Sequence, residues 1–247
     1  MSAQTIYLAM TGLDATLDRM NASANNLANA STTGFKAQQP VFRAQPFYGQ
    51  GLPDRVDVTS TEDSADFSPG PIEQTANPLD VAVSGQGWIG VQANDGSTAL
   101  TRNGSLSISA TGLLETNTGN PVLGRGGAPI TLPPLQHVTI GEDGTISGVL
   151  VGAPATEVTT LNRILLANPP PARLRRRSDG LFQDPAGDPV PDATVKLESG
   201  ALEGSNANAV SLMMSMIENT RMFQMQTELV HNLASQGQGQ SSPLTLS

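Results

Sequence analysis

A heptad seam over the first 27 residues constrains this chain more than any other feature. Ile6, Met10, Leu13, Leu17, Met20, Ala24 and Leu27 follow one another at steps of four and three, which places all of them on one stripe of a helix. The stripe runs into the string Ser23-Ala-Asn-Asn-Leu-Ala-Asn-Ala-Ser-Thr-Thr-Gly-Phe-Lys36. There Asn, Ser and Thr compete with the helix for backbone hydrogen bonds, and Gly34 can supply a left-handed stop, so the helix is expected to end between Asn29 and Thr33. A lone helix of this kind is marginal in water until something covers its stripe.

A second long amphipathic segment, expected from about Asn206 to Ala234, answers the first. Met213, Met216, Thr220, Phe223, Thr227 and Val230 form one stripe, with Met222, Met225 and Leu229 on a neighbouring one, a broader apolar surface than a single partner needs. The other faces are poor in charge. Asp14, Asp18 and Arg19 are the charged residues of the first segment, and Glu218, Arg221 and Glu228 those of the second, whereas free surface helices carry more. The two ends are therefore expected to pair, leaving apolar surface for copies of the chain or its relatives. The alternative is a private helical hairpin packed on a globular domain.

Between these segments, short apolar runs alternate with turn signals. Strands are expected at Leu79 to Val83, Trp88 to Gln92, Leu106 to Ile108, Val138 to Ile140, Thr145 to Val151, Arg163 to Ala167 and Thr194 to Leu197. Turns ending in Gly96, Gly144 and Gly180, and the Asn117-Thr-Gly-Asn120 turn, separate them, since glycine supplies the positive φ of tight hairpins. The fold class is α+β: helices over 1–35 and 205–235 in one discontinuous coiled-coil-like domain, an extended connector over 36–75, a mostly antiparallel β domain over 76–204 with Trp88 and Phe182 in its core, and a tail over 236–247.

No chemistry stands out. Gly85-Gln-Gly-Trp-Ile-Gly90 fits a dinucleotide fingerprint, but it leads into an Asn-Asp-Gly turn with no helix to face a phosphate. His137 and His231, far apart, are expected on a strand surface and a helix. Carboxylate pairs such as Glu142 and Asp143 sit in turns, and the Asn-x-Ser sequons at Asn21, Asn29 and Asn103 arise by chance in an Asn-rich chain. No catalytic, cofactor or metal site is expected, and an enzyme is not. A net charge of -9 argues against nucleic acid as partner. The one basic cluster, Arg173, Arg175, Arg176 and Arg177, is read as a solvated loop, the alternative being contact with an acidic patch on a neighbouring subunit. No run reaches the length of a membrane span, and the first residues lack the basic and apolar regions of a cleaved secretory signal, so any export is expected by another route.

The order of motifs resembles the bacterial flagellar rod and hook family. Ala24-Asn-Asn-Leu-Ala-Asn-Ala-Ser-Thr-Thr-Gly-Phe-Lys36 is similar to its N-terminal signature, through Asn25, Asn26, Leu27, Asn29, Gly34 and Phe35. Gly70-Pro-Ile-Glu-Gln-Thr75, Leu79-Asp-Val-Ala-Val-Ser-Gly-Gln-Gly-Trp-Ile89, Thr101-Arg-Asn-Gly104, Gly112-Leu-Leu114 and Leu202-Glu-Gly-Ser-Asn206 follow in family order. The last holds Leu202, Glu203, Ser205 and Asn206, and departs from the pattern at Gly204; a further departure after Leu233 leaves the end of the last helix open.

The resemblance implies a structural subunit of the basal-body proximal rod, or alternatively its distal paralogue. It implies export through the flagellar type III apparatus without signal cleavage, and helical assembly with itself and with other rod proteins across the periplasm. The expected subunit-interface residues are Ile6, Met10, Leu13, Leu17, Met20, Ala24, Leu27, Met213, Met216, Phe223 and Val230. A carbohydrate-binding module is the reading from another class, weakened by an aromatic content of 4%. A cell-wall hydrolase is a third, but no paired carboxylates stand at motif spacing.

Overall fold

The two apolar stripes form the longest elements of the protein, α1 (Ala3–Ala28) and α2 (Ala209–Gly239). The computed structural model describes the backbone of residues 3–46 and 56–239, with side chains over 10–42, 64–232 and 235. Helix α1 runs into the Asn-rich string and stops at Ala28, one residue before the expected window, and the Asn29 carbonyl accepts the Thr32 N–H at 3.1 Å in the turn that follows. Asn208 caps α2, its Oδ1 accepting the Ser211 N–H at 3.1 Å. Helix α2 runs past its expected end near Ala234 to Gly239. Glutamine is a good helix former, and each intervening glycine costs only about 1 kcal/mol, too little to stop a helix already under way.

The chain divides into two compact units. The first holds residues 1–28, 38–64 and 208–247, so both helices belong to it. They pack against each other, and α1 also packs on β1 (Gln38–Pro46), which pairs with β2 (Val56–Ala65) in a two-stranded sheet. The stretch read as an extended connector thus contains a β-ribbon. Its residues hide the fact: Pro40 interrupts the first strand, and in the second the β-branched Val56, Val58, Thr59 and Thr61 are interspersed with Asp, Ser and Glu, so apolar alternation is missing.

The second unit, residues 29–37 and 65–207, is built of short antiparallel strands. These are β3 (Ile72–Gln74), β4 (Val81–Ser84), β5 (Trp88–Gln92), β6 (Thr98–Thr101), β7 (Leu106–Ile108), β8 (Leu114–Thr116), β9 (Leu135–Ile140), β10 (Thr145–Leu150), β11 (Thr159–Arg163), β12 (Leu166–Ala167), β13 (Arg175–Arg176), β14 (Phe182–Gln183), β15 (Lys196–Ser199) and β16 (Ala201–Glu203). The largest sheet runs β12-β5-β6-β14-β13, a three-stranded sheet runs β11-β10-β9, and β15-β4, β16-β3 and β7-β8 are pairs. The run expected as one strand from Arg163 to Ala167 is split between two sheets, because Ile164 and Leu165 donate instead to the carbonyls of Gly144 and Leu123. The turn glycines behave as expected, with φ of 83° at Gly96, 84° at Gly119, 81° at Gly144 and 83° at Gly180.

Aliphatic residues from nearly every strand, Val83, Ile89, Val91, Leu114, Val122, Ile130 and Ile146 among them, form the main core. A second cluster gathers Trp88, Leu100, Ala167, Leu174 and Phe182 under Phe67. Its three rings contact one another at centroid distances of 5.7 Å (Phe67 to Trp88), 5.6 Å (Phe67 to Phe182) and 4.8 Å (Trp88 to Phe182), the first pair edge to face. Phe182→Ala should lower the stability of this unit by about 3 to 5 kcal/mol. Trp88, the sole tryptophan, reports it directly: the urea midpoint of its fluorescence falls in the variant.

Candidate functional site

The signature strings from the two ends of the chain meet in the second unit, around the carboxylate of Glu203. Strand β16 delivers Glu203 to the interior, where it is 1% exposed. Its Oε1 accepts from Lys36 Nζ at 2.6 Å and from the Gly70 N–H at 3.0 Å, and its Oε2 accepts from Arg102 Nη1 at 2.9 Å. Backbone joins the same segments, since the Gly34 N–H donates to the Glu203 carbonyl at 2.7 Å. Asn206 completes the stitch. Its Oδ1 accepts the Ala37 N–H at 2.7 Å, its Nδ2 donates to the Asp66 carbonyl at 2.8 Å, and its own N–H donates to the Phe35 carbonyl.

Close approach explains the glycines at this clamp. Gly34 sits at φ 68°, and a Cβ there would stand 2.3 Å from the Arg102 carbonyl carbon. At Gly70 a Cβ would lie 2.1 Å from the Gly204 carbonyl oxygen. Neither backbone can move aside without breaking the bonds to Glu203.

Lys36 and Arg102 bring two cations to one carboxylate. Lys36 also donates to the Ser68 carbonyl at 2.7 Å, and Arg102 donates to the Gly85 carbonyl at 2.8 Å and lies 5.3 Å from the Trp88 ring centroid. Burial pulls the Lys36 ammonium below the ordinary lysine value, and the hydrogen bond and charge of Glu203 offset only part of this. For Glu203, burial would push the carboxyl up. The hydrogen bonds from Lys36 and Gly70, with the charges of Arg102 and Lys36, outweigh it and hold the group below its usual range.

The arginine cluster read as a solvated loop is tied into the fold instead. Arg176 donates to the Lys36 carbonyl at 2.9 Å and lays its guanidinium 4.7 Å from the Phe35 ring centroid, closing the clamp from outside. Arg173 pairs with Asp184 at 2.8 Å, and Arg177 with Asp95 at 2.8 Å and Asp179 at 3.1 Å. The one local cue was Asp179, two residues after Arg177 in an Asp-Gly step; the other partners are distant in sequence. Of the fingerprint glycines, Gly85 follows β4 at φ 76° with open space around it and serves the turn, and Gly90 lies within β5, where a Cβ would meet Leu165 at 2.6 Å, so it serves packing. His137 lies exposed on β9 and His231 exposed on α2. Among the described residues no group of His, Asp and Glu could hold a metal ion, and no helix is long and apolar enough to cross a membrane.

In the first unit the expected interface residues divide by exposure. Met10, Leu17, Ala24 and Met213 are exposed, whereas Leu13, Met20, Leu27, Met216, Phe223 and Val230 are half-buried; the side chain of Ile6 lies outside the described residues. Of the signature residues, Asn26 is buried in this unit, exchanging two hydrogen bonds with the Gln38 backbone at 2.7 and 2.9 Å, while Asn25 is exposed. In the second unit Gly34, Phe35, Glu203 and Ser205 are buried, and Asn29, Leu202 and Asn206 half-buried. Sequence reading placed Lys36, Gly70 and Arg102 inside motifs without a role of their own and read Arg176 as solvated. The cue for the ion pair was charge inside uncharged strings: a lysine closing the first signature and a glutamate inside the last.

Glu203→Gln should leave two buried cations without a counter-charge and cost about 3 to 5 kcal/mol. Because the folded carboxyl is held below its unfolded value, its contribution is complete above about pH 4.5 and is lost as the pH falls through the lower folded value. Urea unfolding from pH 7 to 3 should therefore show a steep acid loss in the parent chain and a flatter one in the variant.

Comparison with known proteins agrees with this convergence of end motifs. Residues 6–36 match the model of the flagella basal body rod protein, residues 82–148 that of the flagellar hook protein FlgE/F/G D1 domain, and residues 198–235 that of the flagellar basal body rod FlgEFG protein C-terminal region. The chain is 43% identical over 235 residues to the flagellar basal-body rod protein FlgF of Escherichia coli strain K12, covering 92% of this chain and 93% of the relative. It is 41% identical over 232 residues to FlgF of Salmonella typhimurium, covering 91% and 92%. To the rod protein FlgG of Buchnera aphidicola subsp. Schizaphis graminum it is 30% identical over 253 residues, covering 92% and 94%. The chain therefore belongs to the flagellar basal-body rod protein family, nearer its FlgF than its FlgG members, and is a structural rod subunit rather than an enzyme.

Proposed function

We propose that this chain builds part of the proximal rod, polymerising through α1 and α2 with other rod proteins into the drive shaft that carries torque from motor to hook. The observation that carries the reading is the apolar surface left uncovered on the helix pair. Met10 is 52% exposed, Leu17 40%, Met214 61%, Ile217 56%, Met225 63% and Leu229 53%. Burying a large apolar side chain is worth roughly 1.5 to 3 kcal/mol, so covering these positions supplies a strong drive for association. The low charge of both helices removes the repulsion that would oppose it. Contacts repeated between copies without closing a ring generate a helical tube.

In this reading the subunit reaches the rod through the flagellar type III apparatus, without signal cleavage, and takes its place where the rod crosses the periplasm. The proximal assignment over the distal one rests on the higher identity to FlgF relatives than to FlgG. Leu17→Asp should leave the second unit folded, with the Trp88 urea transition unchanged, and abolish incorporation into basal bodies and swimming. Normal motility with normal basal bodies would sink the reading.

A further inference from the structure

Pairing between α1 and α2 mixes polar side chains with apolar ones such as Met216 and Phe223, and much of the helices' apolar surface is left uncovered. Thr16 is 1% exposed, the lowest value on α1 among the described residues, while Met10 and Leu17 on the expected seam are open to solvent. On α2 the half-buried positions Leu212, Met216, Asn219, Phe223, Gln226 and Val230 recur at alternating steps of four and three. The stripe read from sequence shares Met216, Phe223 and Val230 with this one but takes Met213, Thr220 and Thr227 in place of Leu212, Asn219 and Gln226. Those threonines are exposed, and their hydroxyls donate back to the carbonyls of Met216 and Phe223 at 2.7 and 2.8 Å.

At one point the polar groups of the two helices interlock. Thr16 Oγ1 lies 3.0 Å from the Gly12 carbonyl and 2.9 Å from Gln226 Oε1. A hydroxyl has a single proton and cannot donate it fully to both. Turning the Gln226 carboxamide by half a rotation resolves this: Nε2 then donates to Thr16 Oγ1, and Thr16 donates to Gly12. Gly12 leaves room for the amide, since even a Cβ there would stand 3.7 Å from Gln226 Nε2. The three residues form one satisfied chain of hydrogen bonds in a single alignment of the helices.

We propose that Thr16 and Gln226 are the register key of the helix pair, positioning residues that select one alignment out of several apolar contacts of similar quality. A polar pair at a buried point of a helix interface penalises every slipped alignment, because slipping breaks the Thr16–Gln226 bond and leaves the Thr16 oxygen without its donor from α2, the bond to Gly12 alone remaining. The register in turn decides how the exposed residues of α1 line up with those of α2. The inference concerns pairing within one chain and stands apart from the rod reading.

The test uses the absence of cysteine from the chain. Asp14→Cys and Gln224→Cys, at exposed positions outside the key, carry spin labels on the isolated full-length protein, and the interlabel distance is read by pulsed dipolar spectroscopy. The parent should give one dominant distance, and Thr16→Ser, which keeps the hydroxyl, should retain it. Thr16→Val with Gln226→Leu should keep the helix content by circular dichroism yet add populations displaced by up to about 10 Å, the axial length of one heptad. An unchanged single distance in that double variant overturns the key. So does a parent with no dominant distance, or a double variant that loses its helices, since the pair would then support folding and not alignment.

Discussion

Everything in the second unit that ties the two ends of the chain together depends on one buried carboxylate. Glu203 draws donors from three places far apart in sequence, Lys36, Gly70 and Arg102, and the two charged donors are each anchored by a further bond. A buried ion pair is weak support for stability in itself, because desolvation consumes most of its attraction. Its strength here lies in specificity. Chain segments that reach this point without the right partner leave a charge stranded in an apolar interior, so the segments ending at Ala37 and beginning at Glu203 have one acceptable neighbour each. Asn206 then fixes their spacing through backbone bonds on both sides.

The helix pair obeys a different economy of contacts. Most helix hairpins bury their apolar stripe and expose amides and hydroxyls. Here Thr16, Asn26 and Gln226 are drawn inward while Met10, Leu17, Met214, Met225 and Leu229 stay outside, an arrangement that leaves apolar surface for something else to cover. This is the expected condition of a part shaped for an assembly, and it agrees with membership in a family of rod subunits.

Much of this was legible in the residues, and the failures are instructive. Long periodic stripes announced both helices, and Asp-Gly and Asn-x-Gly steps announced the hairpins, because each of these signals is local. The ribbon of β1 and β2 was invisible because Pro40 and a run of acids remove the alternation that marks a half-buried strand. The stripe on α2 was read one step off at three positions, two of them for a related reason. Threonine and the amides are equally polar to a periodicity argument, and only the partner helix distinguishes Gln226 from Thr227. The clamp escaped because its members are joined by topology alone: nothing in a sequence brings Lys36 beside Glu203 until β16 and β3 have paired.

Four of the chain's eight methionines, Met213, Met214, Met222 and Met225, lie open on α2. An unbranched thioether has more rotatable bonds than leucine or isoleucine and adopts the contour of what presses on it. A helix surfaced this way does not demand a single mould. It can seat against neighbours whose side chains differ, and can keep contact as the spacing between them flexes, which suits a shaft made of several related proteins and turned under load.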